Sequence, residues 1–347
     1  MEKKKVAVVG YGGQGGWHAN HILKSDVAEL AGIYDIKEER NEIARKNGIR
    51  VYDSFETVLS DPAVDIVTVA TPNDVHEELV VAALNAGKNV ICEKPVALSL
   101  ESFDRMVAAA NKNGKKFSVH QNRRWDVDYL AMKQVKESGM IGDIINLESR
   151  IHGSRGIPSD WRGLKQYGGG MLLDWGVHII DQALMILGFD VKSVYCTFDH
   201  ITNKEVDDGF QLTIELESGK KAYVEVGTYN FIAMPRFYMR GMKGSALIED
   251  WQKNCQVAVM KAWNEKEVVP VLTAAGITKT MAPRDEITLD CKEIERPTSD
   301  VHDFYRNFIG AINGECEQFI LHEQSRKVLE VVMAAFESVE KHAPVEL

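Results

Sequence analysis

Two short stretches of this chain hold residue types that together can move a proton and steady a negative charge. They are Gly168-Gly169-Gly170-Met171-Leu172-Leu173-Asp174-Trp175-Gly176-Val177-His178 and Glu93-Lys94-Pro95. If the first is helical, Asp174 and His178 stand four residues apart on one face, so a carboxylate and an imidazole converge on one substrate hydroxyl. An imidazole with an unperturbed pKa of about 6.5 suits a general base that takes a hydroxyl proton as hydride leaves the adjoining carbon. Lys94 would stabilise the developing alkoxide, and Asp174 would hydrogen-bond the substrate or hold it in register. Each residue also has a plain reading alone. His178, flanked by Val177, Ile179 and Ile180, could be a satisfied core histidine; Asp174 could be a first-turn carboxylate favoured by the helix dipole; Lys94 could be a turn lysine. Asp181, three residues after His178, could orient its ring or make a structural hydrogen bond. Pro95 is a position where a cis bond would mark a fixed geometry.

A cofactor site precedes these residues. Val6-Ala7-Val8-Val9-Gly10-Tyr11-Gly12-Gly13-Gln14-Gly15 places a G-x-G-x-x-G directly after a strand and before a helical window. Gly10 permits the tight turn, Gly12 and Gly13 let the backbone approach a pyrophosphate with Gln14 at the helix start, and Gly15 allows close helix packing. Asp35 ends the next strand, where a carboxylate accepts hydrogen bonds from ribose hydroxyls. That carboxylate repels a 2′-phosphate and Ile36 offers no guanidinium, so NAD is preferred over NADP. Lys37 and Arg40 stand close enough in sequence to keep NADP open.

The elements that must position these residues fall into two textures. Strands are expected at Lys4 to Val9, Ala28 to Asp35, Asp65 to Ala70, Asn89 to Cys92 and Lys116 to Gln121. Helical windows lie between them at Glu38 to Asn47, Val75 to Ala86 and Leu100 to Asn113, which implies right-handed βαβ crossovers and a parallel sheet. After a helix from Asp126 to about Ser138, longer β-branched and aromatic strands run Ile144 to Ile151, Val191 to His200, Phe210 to Glu217 and Lys221 to Tyr229. The tight turn Glu217-Ser218-Gly219-Lys220 makes the last two a hairpin. An amphipathic helix closes the chain from Glu323 to Lys341. At about 150 residues per domain, the 347 residues divide into an α/β, doubly wound NAD-binding unit over 1–122 and an α+β substrate and oligomerisation unit over 123–347.

Composition narrows the partners. Hydrophobic residues make up 45% and charged residues 27%, as in a soluble globular protein, and the net charge of -10 argues against a nucleic-acid surface. No membrane span is indicated. The basic start at Lys3-Lys4-Lys5 is followed by an apolar run that stops at Gly10, short of an export signal. Five scattered cysteines show no pairing or zinc spacing, so a reducing cytoplasm and no metal are expected. No Ser/His/Asp order or Walker loop competes.

With the glycine loop, Glu93-Lys94-Pro95 and the Gly-Gly-x-x-x-x-Asp-x-Gly-x-His run together, the chain resembles the Gfo/Idh/MocA family, named for glucose-fructose oxidoreductase, inositol dehydrogenase and a rhizopine catabolism protein. Thr71-Pro72-Asn73 with His76, Gln121-Asn122-Arg123-Arg124 and Asp303-Phe304-Tyr305 extend the match over nearly the whole chain. The resemblance implies a Rossmann domain, a C-terminal domain with a large, mostly antiparallel open-faced sheet, and NAD(P)-dependent chemistry on sugars or cyclitols. It also implies homodimers or homotetramers built through that sheet. Carried over by position, Lys94, Asp174 and His178 would be the catalytic group. Thr71, Asn73, His76, Glu93, Lys94 and Gln121 would lie around the cofactor, with Arg123 on the substrate side. The chain lacks the export peptide and arm of the periplasmic glucose-fructose enzyme, so internal cofactor recycling of that kind is not expected.

Other residues could meet a substrate. Trp125, Trp161 and Trp175 lie near these motifs, and an indole face suits the C–H face of a pyranose, although each could equally be core. Arg155, Asp160 and Arg162, in the loop before the glycines, could recognise hydroxyls or a charged substituent, or simply be solvated. His152 is a further candidate. The leading expectation is a dehydrogenase of a secondary hydroxyl on a sugar, glycoside or cyclitol. The rivals are a redox-neutral NAD-dependent glycosidase or lyase working through a transient keto-sugar, and a catalytically silent dinucleotide-binding regulator.

Overall fold

The computed structural model describes residues 3–261, 269–284 and 287–347. Its N-terminal part runs β1 (Lys4–Val9), α1 (Gly13–Ile22), β2 (Ala28–Tyr34), α2 (Glu38–Lys46), α3 (Phe55–Ser60), β3 (Ile66–Val69), α4 (His76–Asn85), β4 (Asn89–Cys92), α5 (Leu100–Asn113) and β5 (Phe117–Val119). The five strands are all parallel, in the order β2-β1-β3-β4-β5. Helices cover both faces, which is why β1 reads as an unbroken apolar run. Val6 and Val8 pack toward α1 on one side, while Ala7 and Val9 join the core shared with α4 and α5 on the other. The fifth strand is shorter than its sequence pattern, because its ladder with β4 ends at Val119. Gln121 is thereby released into a 3-10 turn over Asn122–Trp125.

The second part continues with α6 (Val127–Ser138), β6 (Ile144–His152), α7 (Val177–Leu187), β7 (Val191–Asp199), β8 (Gly209–Leu216), β9 (Lys221–Gly227), β10 (Phe237–Gly241), β11 (Gly244–Ile248), β12 (Cys255–Met260), a small β13 (Val271–Thr273) and β14 (Gly276–Thr278) hairpin, and β15 (Leu289–Ile294). It ends with α8 (Asp303–Asn313), α9 (His322–Lys341) and β16 (Val345–Glu346). Among the described residues, nine strands form one sheet in the order β15-β12-β11-β10-β6-β9-β8-β7-β16, antiparallel except for the β6–β9 pair. The β8–β9 hairpin forms as its turn residues predict.

Alternation sorts the two faces of this sheet. Leu147 and Ile151 of β6, Leu212 and Ile214 of β8, and Val224 and Val226 of β9 pack in one core with Ile179, Ile180 and Ala183 of α7 and Val331 and Val332 of α9. The helical stretch Lys165–Leu187 is long and apolar enough to cross a membrane, yet 83% of its most apolar window is buried in this core. Tyr195 and Tyr223 stand on the opposite, uncovered face. Helix α8 packs back on the N-terminal sheet, with Phe304, Tyr305, Phe308 and Ile309 in the core that holds Val6 and Val8.

Candidate active site

The dinucleotide signature has the local geometry its glycines require. Gly10 adopts φ of 88°, and a Cβ on Gly15 would lie 1.8 Å from the Gly10 carbonyl oxygen, so α1 rests directly on the loop. A Cβ on Gly12 or Gly13 would meet nothing within 4 Å. Among the described residues the first turn of α1 has no side-chain cap, and it holds no acidic residue, which leaves its N–H groups suited to an anion. Thr71, just past the end of β3, has a buried hydroxyl with no hydrogen-bond partner among the described residues. Asp35 accepts the Tyr11 N–H at 2.6 Å and the Lys37 N–H at 2.8 Å, which fixes its carboxylate at the edge of the sheet with further lone pairs for ribose hydroxyls. An open glycine cradle, free helical N–H groups and an orphaned hydroxyl fit a dinucleotide. Gly12, Gly13 and Gln14 would face its pyrophosphate and Asp35 its ribose.

At the end of β4, Lys94 precedes Pro95 through a cis bond. Its Nζ donates to the Asp174 carbonyl at 2.8 Å and to Asp174 Oδ1 at 2.9 Å. Asp174 lies on a π-helical turn, Leu172–Gly176, that leads into α7, where the sequence pattern predicts an ordinary helix. Such turns recur at functional sites. Arg162 Nε donates to Asp174 Oδ2 at 3.0 Å, and its Nη1 to Asp160 at 2.9 Å. Burial alone would raise the Asp174 carboxyl pKa, but Lys94 and Arg162 outweigh it and hold the group below the usual carboxylate range. Asp174 is therefore a bracket for two cations, beside the role the sequence suggests for it of hydrogen-bonding the substrate or holding it in register.

His178 is only 4% exposed, and its Nδ1 lies 3.2 Å from Gln121 Oε1. That contact selects the tautomer with a proton on Nδ1 and a lone pair on Nε2. Burial, reinforced by the charges of Lys94 and Arg123, pushes its pKa well below 6.5. The ring is thus held neutral, not poised for titration near 6.5. Asp181 does not orient it. Its carboxylate takes a bidentate pair from buried Arg124, at 2.8 and 2.6 Å, because the intervening turn of α7 points it toward the 3-10 turn after β5.

Several other expected site residues have protein contacts of their own. Asn73 donates to the carbonyls of Tyr167 and Gly168 at 3.3 and 3.1 Å and so ties the β3 loop to the glycine run. His76 is fully buried between the carbonyls of Pro95 and Thr71, at 3.1 and 3.0 Å, bracing two loops from behind. Trp125 packs edge-on against Phe304 and Phe319, and its ring serves the contact between α8 and the 3-10 turn. His152 falls on the sheet face opposite α7, where its side chain is buried 3.3 Å from Glu225 while its Nδ1 accepts the Met234 N–H. Arg155 is exposed on its loop, and Trp161 lies under the Arg162 guanidinium at 4.7 Å. Arg123 pairs with Asp126 at 2.8 Å and covers the Trp175 ring at 4.1 Å.

Glu93 turns inward. Its Oε1 accepts from His18 Nε2 and His120 Nδ1, both at 2.8 Å, and its Oε2 from the Lys94 N–H at 3.2 Å. Tyr305 O–H completes the chain at His18 Nδ1, 2.6 Å away. The ligand-type atoms of His18, Glu93 and His120 lie within 4.8 Å of one another, a spacing compatible with a metal ion, but here they satisfy one another. Burial pushes His18 down to about 4. Burial alone would raise the Glu93 pKa; the two histidines outweigh it and keep Glu93 far below the ordinary carboxylate value.

Sequence reasoning missed two neighbours of the site. Asp207 caps the π turn by accepting the Leu172 N–H at 2.7 Å, and a Cβ on Gly170 would lie 2.1 Å from its carboxylate. Trp251 stacks on Trp175. Both come from turns between strands, where nothing periodic marks a residue as belonging to a distant site.

Comparison with known proteins places this geometry. The oxidoreductase family with an NAD-binding Rossmann fold matches residues 4–121, and the GFO/IDH/MocA C-terminal domain matches residues 129–247. The chain belongs to the Gfo/Idh/MocA family. Its N-terminal part is an NAD-binding Rossmann domain. Among similar family members, the scyllo-inositol 2-dehydrogenase (NADP+) IolW of Bacillus subtilis is 29% identical over 99% of this chain and 96% of its own length. The myo-inositol 2-dehydrogenase of Thermotoga maritima is 32% identical over 58% of this chain and 60% of that protein. The crystal structure of an NAD-binding protein from Listeria innocua is 42% identical, with a TM-score of 0.96 and full coverage of both chains. This chain is thus an oxidoreductase of the family with inositol dehydrogenases among its relatives.

Proposed function

We propose that this protein is an NAD-dependent dehydrogenase that moves a hydride between the cofactor and a secondary hydroxyl, or the corresponding ketone, of a neutral sugar, glycoside or cyclitol. The observation that carries the reading is His178, a neutral imidazole whose Nδ1 is committed to Gln121, which leaves Nε2 as the lone-pair nitrogen, in the field of Lys94. When bound, NAD supplies the hydride acceptor. His178 Nε2 takes the hydroxyl proton as the carbonyl forms and returns it in the reverse direction. Lys94 has three N–H donors, of which Asp174 uses two, so the third serves the reacting oxygen. The cations Lys94, Arg162 and Arg123 are matched by Asp174, Asp160 and Asp126, which favours a neutral polyol over a phosphate or carboxylate substrate.

The Asp35 carboxylate supports NAD over NADP, because a 2′-phosphate beside it would be repelled. The uncovered sheet face, with Tyr195 and Tyr223 half-exposed, supports a homodimer or homotetramer assembled through it. We place the protein in the cytoplasm, in keeping with five free cysteines.

The test is NADH absorbance when the protein and NAD are mixed with inositols, free aldoses and aryl or alkyl glucosides. A signal that grows with one substrate class bears the reading out and names that class. Substrate consumed without NADH would support the redox-neutral glycosidase or lyase. No turnover across the panel would reject the substrate class.

A further inference from the structure

Trp251 belongs to the turn between β11 and β12, far in sequence from every motif described above. The turn is tightly built. Asp250 accepts the Gln252 N–H on its carboxylate at 2.7 Å and the Lys253 N–H on its carbonyl at 3.2 Å, and Arg296 donates to the Gln252 carbonyl at 3.3 Å. It carries the indole to Trp175, where the two rings stack with centroids 5.9 Å apart and planes 21° from parallel. The Trp175 ring lies edge-on to His178 at 6.2 Å and beneath Arg123 at 4.1 Å. Even so, Trp251 remains 46% exposed. An aromatic ring recruited only to fill the core would be covered; this one, stacked on the ring that lies beside His178, still opens to solvent.

We propose that Trp251 is a substrate-contacting, specificity-determining residue that selects six-membered rings presenting an apolar C–H face. The assignment rests on the dehydrogenase reading above for its assay. In a ring whose hydroxyls are all equatorial, the axial C–H bonds form a flat apolar face that an indole can cover. An axial hydroxyl on that face would lose its water without gaining a partner, which disfavours the epimer. Arg123, ion-paired and lying on Trp175, keeps the stack in place next to His178.

The experiment compares NADH formation by the full-length wild-type protein, Trp251→Phe and Trp251→Ala with scyllo-inositol, whose hydroxyls are all equatorial, and chiro-inositol, which has an axial hydroxyl on each face. The wild type should favour the all-equatorial ring by about tenfold in kcat/KM, the size of one stranded hydroxyl. In Trp251→Ala the KM should rise roughly tenfold, kcat should stay within about twofold, and the preference should vanish, while Trp251→Phe retains most of it. An unchanged KM and preference in Trp251→Ala would overturn the proposal, as would a loss of kcat alone. If the wild type forms no NADH with either ring, the dehydrogenase reading fails on these substrates, and intrinsic tryptophan fluorescence decides the contact separately. A ring-dependent quench that disappears in Trp251→Phe sustains it; an equal quench in both proteins, or none, rejects it.

Discussion

His178 Nδ1 lies 3.2 Å from the amide oxygen of Gln121, a bond that joins α7 to the turn following β5. Gln121 also reaches the Val177 carbonyl at 3.4 Å, so its side chain spans the first residues of α7. An amide oxygen can only accept, so it specifies which ring nitrogen keeps the proton and leaves the lone pair on Nε2.

A general base works when unprotonated, and burial places the His178 pKa well below 6.5. The acid limb of kcat/KM should therefore lie well below pH 6.5, with a flat profile from there to pH 8. A limb centred near 6.5 would contradict this assignment. His178→Ala should lower turnover by roughly 100-fold or more with NAD affinity retained, and Gln121→Leu by a smaller factor, because the ring survives but its tautomer is no longer fixed.

Lys94, Asp174 and Arg162 act as one charged unit, so their substitutions should not be additive. Lys94→Ala removes the proposed donor to the reacting oxygen and should cost roughly 100-fold in turnover while NAD binding, followed by protein fluorescence, stays within about twofold. Asp174→Asn frees Lys94 and Arg162 from their shared anion and should be about as costly, with the double variant little worse than either alone. Wild-type turnover in Lys94→Ala would remove it from the chemistry.

The two glycines of the nucleotide loop predict opposite phenotypes. A methyl group on Gly15 collides with the Gly10 carbonyl at 1.8 Å, so Gly15→Ala should lower Tm by several degrees or prevent folding. A methyl group on Gly12 meets nothing among the described residues within 4 Å, so Gly12→Ala should keep its Tm while losing roughly tenfold or more in NAD affinity. Equal NAD affinity in Gly12→Ala would show that the cradle does not hold the cofactor as argued.

The elements were legible because their signals are local. The doubly apolar β1, the alternating strands of the large sheet and the Ser218-Gly219 turn each carry their pattern within a few residues, and each forms where that pattern places it. Glycine spacing located the nucleotide loop for the same reason. What a sequence does not display is which partner a polar side chain meets after the chain has returned from elsewhere. Asp181 reads as a neighbour of His178 along one helix but is claimed by Arg124, and nothing local shows that His152 meets Glu225 of β9. Trp251 and Asp207 reach the site only through sheet pairing across dozens of residues. The depressed pKa of His178 likewise belongs to the assembled interior, not to the residue type.

Asp207 offers a test of how the π turn is held. Burial raises its pKa from an ordinary 3.8 to about 7, opposed by the Leu172 N–H that it accepts at 2.7 Å. Between those values the folded chain keeps a proton that the unfolded chain has released. Its contribution to stability is therefore complete below about pH 4 and is lost as pH rises toward 7. Asp207→Asn keeps an oxygen acceptor for Leu172 but cannot ionise, so it should lack this loss. The Tm of the variant relative to wild type should climb between pH 5 and pH 8, measured by thermal denaturation at both. A difference that stays constant across that interval would mean that Asp207 does not titrate there and that its negative charge is carried by the folded site throughout.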